Sequence, residues 1–177
     1  MSDSKRQVKV DLEDLKFAFE SGFTEARQYL DLETGEVVLI GDETRRQLET
    51  LLDGMDLDSI EAVDAAIHGE DAPAWQKDAL HGAALVVFGD TSRFIAIPEA
   101  DSRAGYEDMV AFIDTVSNQH LQELLEVAIQ GRGAFRRFKD VLAKHPQERE
   151  RWFRFHDQRV QQRVLDWLDE EGITPIV

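Results

Sequence analysis

The sequence predicts an α+β fold with a small antiparallel sheet from two hairpins and a helix-rich C-terminal half. First, two pairs of β-prone runs each flank a turn signal, within residues 27–40 and residues 85–97. Second, apolar residues recur at three- and four-residue spacing beyond about residue 103. Third, strands and helices do not alternate along the chain, which disfavours a parallel doubly wound sheet.

The first helix and the first hairpin follow from short local signals. Apolar residues with helical spacing predict a helix over residues 11–20. Two β-prone runs within residues 27–40 flank Gly35, which can adopt a positive φ in the hairpin loop. Two amphipathic helices are predicted next, over residues 42–54 and residues 60–67.

A second hairpin is predicted before the chain becomes helical. A helical turn or two over residues 73–81 comes first. Residues 85–88 and 94–97 then form the two strands, joined by a turn at residues 89–92, and Pro98 ends the second strand.

The remainder of the chain predicts helices alone. Four apolar faces follow one another, over residues 106–113, 121–129, 135–142 and 153–168. Glycine and proline separate these faces, as expected for short helices joined by loops.

The composition limits the class of protein. The 177 residues are 42% hydrophobic, so we expect one domain over residues 1–177, with a subdivision allowed near residues 98–103. The chain has no cysteine, which excludes disulfides, thiolate metal sites and cysteine nucleophiles. The N-terminal residues lack the apolar segment of a signal peptide, and the longest apolar run, Ala83–Phe88, is too short to cross a membrane. We expect a cytoplasmic protein that does not contact a membrane.

The charge changes sign near the C-terminus. The net charge is −16, yet residues 131–163 hold ten of the twenty Lys and Arg and four of the Asp and Glu, about +6 against −22 elsewhere. Such a segment either binds anions or docks on the protein's own acidic half. A GxG before a basic helix could hold a phosphate, although it is not a phosphate loop. The candidate anion-binding residues are Arg132, Arg136, Arg137, Lys139, Arg149, Arg151 and Arg154.

Aromatic residues lie among these arginines. Arginine and exposed aromatic side chains together could bind single-stranded nucleic acid or anchor a protein interface. Trp152 and Phe155 are the candidate interface residues. Trp152 and Phe153 also fit the apolar stripe of a helix, which favours a place in the core.

Other candidate sites have simpler explanations. The acidic group Asp53, Asp56, Asp58, Glu61 and Asp64 lacks EF-hand spacing, so helix capping and solvation account for it better than a cation. The five histidines show no metal-binding or catalytic spacing. Asp31, Thr34 and Glu36 could act as acid and base, but turn chemistry explains them too. The sequence predicts no metal and no cofactor.

Several segments carry a family resemblance. The hairpin YLDLETGEVV, the strand FIAIP followed by YEDMVAFI, and the run AIQGRGAFRRFKDVL followed by WFRFHDQR resemble an uncharacterised bacterial protein family. The likeness spans nearly the whole chain, and GAFRRFKDVL is its most specific part. The resemblance implies one bacterial domain of mixed class, and it implies no activity, cofactor or catalytic residue.

Three functions from different classes remain open. The leading hypothesis is a non-catalytic bacterial binding or regulatory module that engages a protein partner or itself. The alternative is an anion- or nucleic-acid-binding module that uses residues 131–163. A hydrolase that uses carboxylates of the first hairpin is the third, and the enzyme hypothesis is the weakest because no constellation of catalytic residues is complete.

Overall fold

Four of the described helices begin at residues whose side chains cap them. The computed structural model describes residues 5–55, 59–90 and 92–176. Its helices are α1 (Leu12–Glu20), α2 (Asp42–Leu52), α3 (Ile60–Gly69), α4 (Ala74–Phe88), α5 (Ser102–Ile113), α6 (Gln119–Ala128), α7 (Ala134–Leu142) and α8 (Pro146–Glu170). Asp11, Ser59, Asp101 and Asn118 each accept backbone N–H groups from the first turn of the helix that follows.

The strands form two small sheets. They are β1 (Arg6–Lys9), β2 (Ala26–Asp31), β3 (Val37–Gly41), β4 (Phe94–Ala96) and β5 (Ile173–Ile176). The larger sheet is antiparallel, in the order β3-β2-β4, and β1 pairs with β5 in parallel. The α+β class, with its small antiparallel sheet and helix-rich C-terminal half, is therefore confirmed.

The first hairpin, formed by β2 and β3, is confirmed, and glycine is required in its turn. Gly35 has a φ of +77°, in the left-handed region that other residues seldom adopt. A Cβ atom at this position would overlap the backbone carbonyl of Lys9. The glycine therefore allows both the turn and the close approach of the β1 segment.

The second hairpin predicted for residues 85–97 is wrong in its first strand. Residues 85–88 are the last turn of α4, and β4 pairs with β2 instead. The valines and Phe88 favour strands, but Ala83 and Ala84 directly precede them, and Gly82 before these alanines does not end the helix. The helix therefore continues to Gly89, because extending a helix costs less than starting a new element.

The parallel pair of β1 and β5 was not predicted. Each strand has four residues, and they are joined in the register Arg6 opposite Ile173, close to the two ends of the chain. Such short segments carry little periodic signal, and their pairing depends on a contact that is distant in sequence.

The chain forms two compact units. Unit 1 comprises residues 1–99 and 168–177, and unit 2 comprises residues 100–167. In unit 1 the buried core includes Ile40, Leu48, Leu52, Val63, Ile67, Leu80, Ala83 and Ala84. In unit 2 the rings of Phe112, Phe138 and Trp152 meet edge to face, with centroids 4.8–6.2 Å apart. The boundary falls within the segment 98–103 in which the sequence allows a subdivision, and the single domain stays a prediction.

Candidate functional site

The arginine in the middle of the basic block has a structural role. Arg137 lies on α7, and its Nε donates to the carbonyl of Ala128 at 2.9 Å. Its two terminal nitrogens donate to the carbonyls of Gln130 and Arg132. The guanidinium thus satisfies carbonyl groups at and beyond the C-terminal end of α6, which have no partner within that helix. The guanidinium of this candidate anion-binding residue is therefore already hydrogen-bonded to backbone carbonyl groups.

The guanidinium of Arg151 is likewise engaged by other residues of the protein. It donates to the carboxylate of Glu148 at 2.7 and 2.9 Å and to the hydroxyl of Thr115 at 2.7 Å. Its guanidinium also lies over the ring of Phe112, 4.6 Å from the centroid. The side chain therefore ties α8 to the end of α5.

Five of the seven candidate anion-binding residues remain accessible, and we call them the exposed basic group. They are Arg132, Arg136, Lys139, Arg149 and Arg154, all exposed in unit 2. Within the described part of the chain, the group makes one ion pair, Arg136 with Asp140 at 3.9 Å, and that pair is exposed. The group stays available to a ligand from solution.

Trp152 and Phe155 do not present the exposed rings that the interface hypothesis requires. Trp152 is 7% exposed and belongs to the core of unit 2. Phe155 is half-buried and packs on that core, its ring 5.6 Å from the ring of Phe112. Phe153, next to them, is 51% exposed. It is the residue of this aromatic run with the most accessible ring.

Asp108, which was not among the candidate residues, is a buried carboxylate bound by three basic side chains that are 26–46% exposed. Asp108 lies on α5 with no exposed surface. Its carboxylate accepts from Arg159 Nε at 2.8 Å, from the guanidinium of Arg163, and from His156 Nδ1 at 3.2 Å. Trp152 stacks on His156 at 5.0 Å. We call these four charged or titratable residues the Asp108 cluster.

The electrostatics of the Asp108 cluster hold its carboxylate in the charged form. Burial raises the pKa of Asp108, but hydrogen bonds from Arg163 and Arg159 lower it more, so the pKa lies below its ordinary value. A carboxylate with a lowered pKa and two arginine partners is a poor proton acceptor near neutral pH. The cluster therefore joins α5 to α8 and is not arranged as a general base.

A sequence signal for the Asp108 cluster does exist. His156, Arg159 and Arg163 recur at i, i+3 and i+7, which places them on one face of α8. Asp108 stands beside Met109 in a helix whose buried face is otherwise apolar. Three basic residues on one face and a single acid within a buried stripe together indicate a buried ion cluster.

The hairpin carboxylate considered for acid–base chemistry is also engaged. Asp31 is almost fully buried and forms a bidentate pair with Arg93, at 2.9 Å to Nε and 2.7 Å to Nη2. The hydrogen bond from Arg93 lowers the pKa of Asp31 below its ordinary value, against the opposing effect of burial. Thr34 accepts from the backbone N–H of Glu36 at 3.2 Å, which is turn geometry.

The acidic group considered, and disfavoured, as a cation site is only partly described. Asp56 and Asp58 lie outside the described residues. Ser59 caps α3, and Asp64 pairs with His81 at 2.5 Å. Among the residues that the structure describes, no three His, Asp or Glu side chains are arranged to hold a metal ion.

Unit 2 exposes several apolar side chains. Val127 is the most exposed of them at 72%, and Leu124 lies one turn before it on α6. Tyr106 and Val110 stand one turn apart on α5. The remaining exposed apolar residues of this unit are Phe135 and Phe153.

The two units differ in charge. Unit 1 has 9 Lys and Arg against 25 Asp and Glu, so it carries the whole net charge of −16. Unit 2 has 11 of each and is neutral. Outside residues 131–163, this unit has seven acids and one base, which offset the basic segment.

No described helix is both long and apolar enough to cross a bilayer.

The comparisons with known proteins concern the family alone. No solved structure matches the chain. A curated UPF0158 protein of Pseudomonas aeruginosa is 25% identical over 170 residues, which is 96% of this chain and 88% of that protein. The model of the uncharacterised protein family UPF0158 matches residues 57–177, more than half of the chain. The chain therefore belongs to the UPF0158 family.

Proposed function

We propose that this protein is a cytoplasmic, non-catalytic binding module that associates with a second copy of itself through unit 2. The exposed apolar side chains of this neutral unit carry the proposal. Apolar and aromatic side chains supply most of the energy of protein interfaces when they leave water.

The side chains with shifted pKa values support a binding role over a catalytic one. Asp31 and Asp108 both have lowered pKa values, and both are held by arginine. Acid–base catalysis near neutral pH needs a carboxyl pKa that is raised towards the working pH. The hydrolase hypothesis gains no support from either residue.

The charge distribution favours unit 2 as the contact between copies. Two copies of unit 1, each at −16, repel one another, whereas two copies of neutral unit 2 do not. The α6 pair Leu124 and Val127 is the most accessible apolar feature of unit 2. In a twofold contact each substitution acts twice, which makes this pair a sensitive probe.

Sedimentation velocity of the full chain between about 1 and 100 μM tests the proposal, because modest interfaces associate in this range. We expect the wild type to dimerise with increasing concentration. The double variant Leu124→Ser/Val127→Ser should weaken the dimer at least about tenfold. Phe17→Ser, an exposed residue of unit 1, is the matched control and should leave the dimer unchanged.

Two outcomes would overturn self-association through unit 2. One is a wild-type protein that stays monomeric over the whole concentration range. The other is a double variant that dimerises as the wild type does while Phe17→Ser does not. Thermal unfolding of both variants checks that a lost dimer is not a lost fold.

The exposed basic group supports a second candidate, the binding of nucleic acid or another polyanion. Its five residues lie on a unit without net charge, so phosphate is not repelled there. Fluorescence anisotropy with single-stranded DNA at two salt concentrations tests this function. Five phosphate contacts predict a slope of log K against log salt no steeper than about −3.5.

The choice of variant matters for this second test. Arg136→Gln/Lys139→Gln removes accessible charge and should weaken binding with little effect on stability. Arg137→Gln is unsuitable, since it removes three backbone hydrogen bonds. Absence of binding at low salt would assign the exposed basic group to solubility.

A further inference from the structure

Two histidines of unit 1 lie side by side on neighbouring helices. His68 is near the C-terminal end of α3, and His81 lies in the middle of α4. Their ring centroids are 5.1 Å apart and their planes are inclined by 62°. Twelve residues lie between them in the chain, so the spacing does not correspond to any short metal-binding motif.

A single residue fixes both imidazole rings. The Nδ1 of His68 donates to the backbone carbonyl of Asp64 at 3.0 Å. The Nδ1 of His81 donates to the carboxylate of the same residue at 2.5 Å. A carbonyl and a carboxylate only accept, so each Nδ1 carries the proton and each Nε2 keeps its lone pair in the neutral ring. No other hydrogen bond between described residues reaches either ring.

This arrangement is the one found around metal-binding histidines. In such sites the ring nitrogen that does not bind the metal donates to a carboxylate or a backbone carbonyl, which fixes the tautomer and raises the basicity of the other nitrogen. Here one ring has the carboxylate partner and the other has the carbonyl partner. Imidazole nitrogen is a preferred ligand of Zn²⁺ and of its neighbours Cu²⁺ and Ni²⁺.

We propose that His68 and His81 form a two-histidine site for a first-row transition-metal ion, with Zn²⁺ as its test ion. Water completes the coordination, since the described residues offer no third side chain in a metal-binding arrangement. The His81 side chain is 24% exposed and that of Asp64 is 53% exposed, so ion and water have access. The charge of −16 on unit 1 raises the local concentration of cations.

The number of protein ligands determines the behaviour of the site. Structural zinc sites have four protein ligands and catalytic sites have three. A site with two protein ligands binds more weakly and exchanges its ion. We expect the fold of unit 1 to form without the ion, because its core cluster consists of buried apolar residues.

Isothermal titration of Zn²⁺ into the full chain, after chelator treatment, tests the proposal. We expect one saturable site. His68→Ala and His81→Ala should each weaken it at least about tenfold, and Asp64→Asn should weaken it by about 10- to 100-fold, as loss of a hydrogen-bond partner of a ligating histidine does. His120→Ala, an exposed histidine of unit 2, is the control and should bind as the wild type.

A second measurement separates imidazole ligation from diffuse attraction to the acidic surface. Excess Mg²⁺, which prefers oxygen ligands, should leave Zn²⁺ binding unchanged if the histidines hold the ion. The imidazole NMR signals of His68 and His81 should shift with Zn²⁺, while that of His120 should not. Displacement by Mg²⁺, an unsaturable titration, or wild-type affinity in the two alanine variants would each overturn the proposal. Far-UV circular dichroism confirms that the variants are folded.

Discussion

Replacing Asp108 with asparagine tests whether the Asp108 cluster holds unit 2 together. The carboxylate has no exposed surface and is bound by Arg159, Arg163 and His156. Asparagine keeps the shape of the side chain but removes its charge. It also turns one acceptor oxygen into an NH₂ group that faces other donors. The variant thus leaves the partners in place and removes their counter-charge.

The expected loss of stability depends on how far each partner of Asp108 is buried. Removing one member of a fully buried ion pair costs about 3–5 kcal/mol. The side chains of Arg159 and Arg163 are 46% and 31% exposed, so water screens them and hydrates them once the carboxylate is gone. Discounting for this screening, we expect the free energy of unfolding of unit 2 to fall by about 2–3 kcal/mol.

Tryptophan fluorescence in a urea titration measures this loss in unit 2. Trp75 is in unit 1 and 71% exposed, so Trp75→Phe should perturb the fold little. The remaining tryptophans, Trp152 and Trp167, are both buried residues of unit 2. In this background the signal reports the unfolding of unit 2, and the shift of the urea midpoint at constant slope gives the change in free energy.

A matched control and a threshold make this prediction refutable. Asp140→Asn removes a carboxylate that is 70% exposed and 3.9 Å from Arg136, and it should change stability by less than about 0.5 kcal/mol. If Asp108→Asn costs less than about 1 kcal/mol, the desolvation of the carboxylate cancels its attraction to the arginines. The Asp108 cluster would then contribute orientation but no stability.

Three further predictions concern single residues. Gly35→Ala should destabilise unit 1 by about 3 kcal/mol or more in thermal unfolding, because it combines an unfavourable φ with overlap on a backbone carbonyl. Gly54 has a φ of +73° but open space around it, so Gly54→Ala should cost about 1 kcal/mol. In urea titrations, Arg137→Gln should lower the free energy of unfolding of unit 2 by about 1–2 kcal/mol, and Arg136→Gln should lower it by less than about 0.5 kcal/mol. Equal losses would contradict the carbonyl-capping role of Arg137. The stabilisation from the lowered pKa of Asp31 is complete above its unfolded pKa of about 3.9 and is lost as the pH falls through its lower folded value. Asp31→Asn should therefore flatten the decline of stability between about pH 5 and 2. An unchanged decline would refute this prediction.

The sequence predicted those elements whose signals are local. The first hairpin, with its Gly35 turn, and the helix capped by Asp11 are both confirmed. The second hairpin failed because residues 85–88 favour a strand when taken alone, whereas in the chain they continue the helical turns that precede them. The pairing of β1 with β5 depends on a contact between the two ends of the chain, which no local pattern encodes.

The candidate site could be predicted only by residue type. The sequence shows which residues are basic, but it does not show that Arg137 faces backbone carbonyls while Arg136, its neighbour, faces solvent. Adjacent residues of a helix point about 100° apart, so their environments differ although their charges do not. The histidine pair was missed for the related reason that His68 and His81 come together only when α3 packs on α4.

The charge reversal at residues 131–163 acquires a different meaning once the fold is known. A net charge of +6 over a segment suggests a basic surface, but unit 2 as a whole is neutral because its residues outside that segment include seven acids and one base. Arg151, Arg159 and Arg163 are paired with acids of that unit. Two exposed features of unit 2 therefore remain as candidate binding surfaces: the exposed basic group and the exposed apolar side chains. A polyanion would lose affinity for the exposed basic group as the salt concentration rises. Another copy of the chain would bind the exposed apolar side chains with little dependence on salt. The salt dependence of binding therefore separates the two proposals.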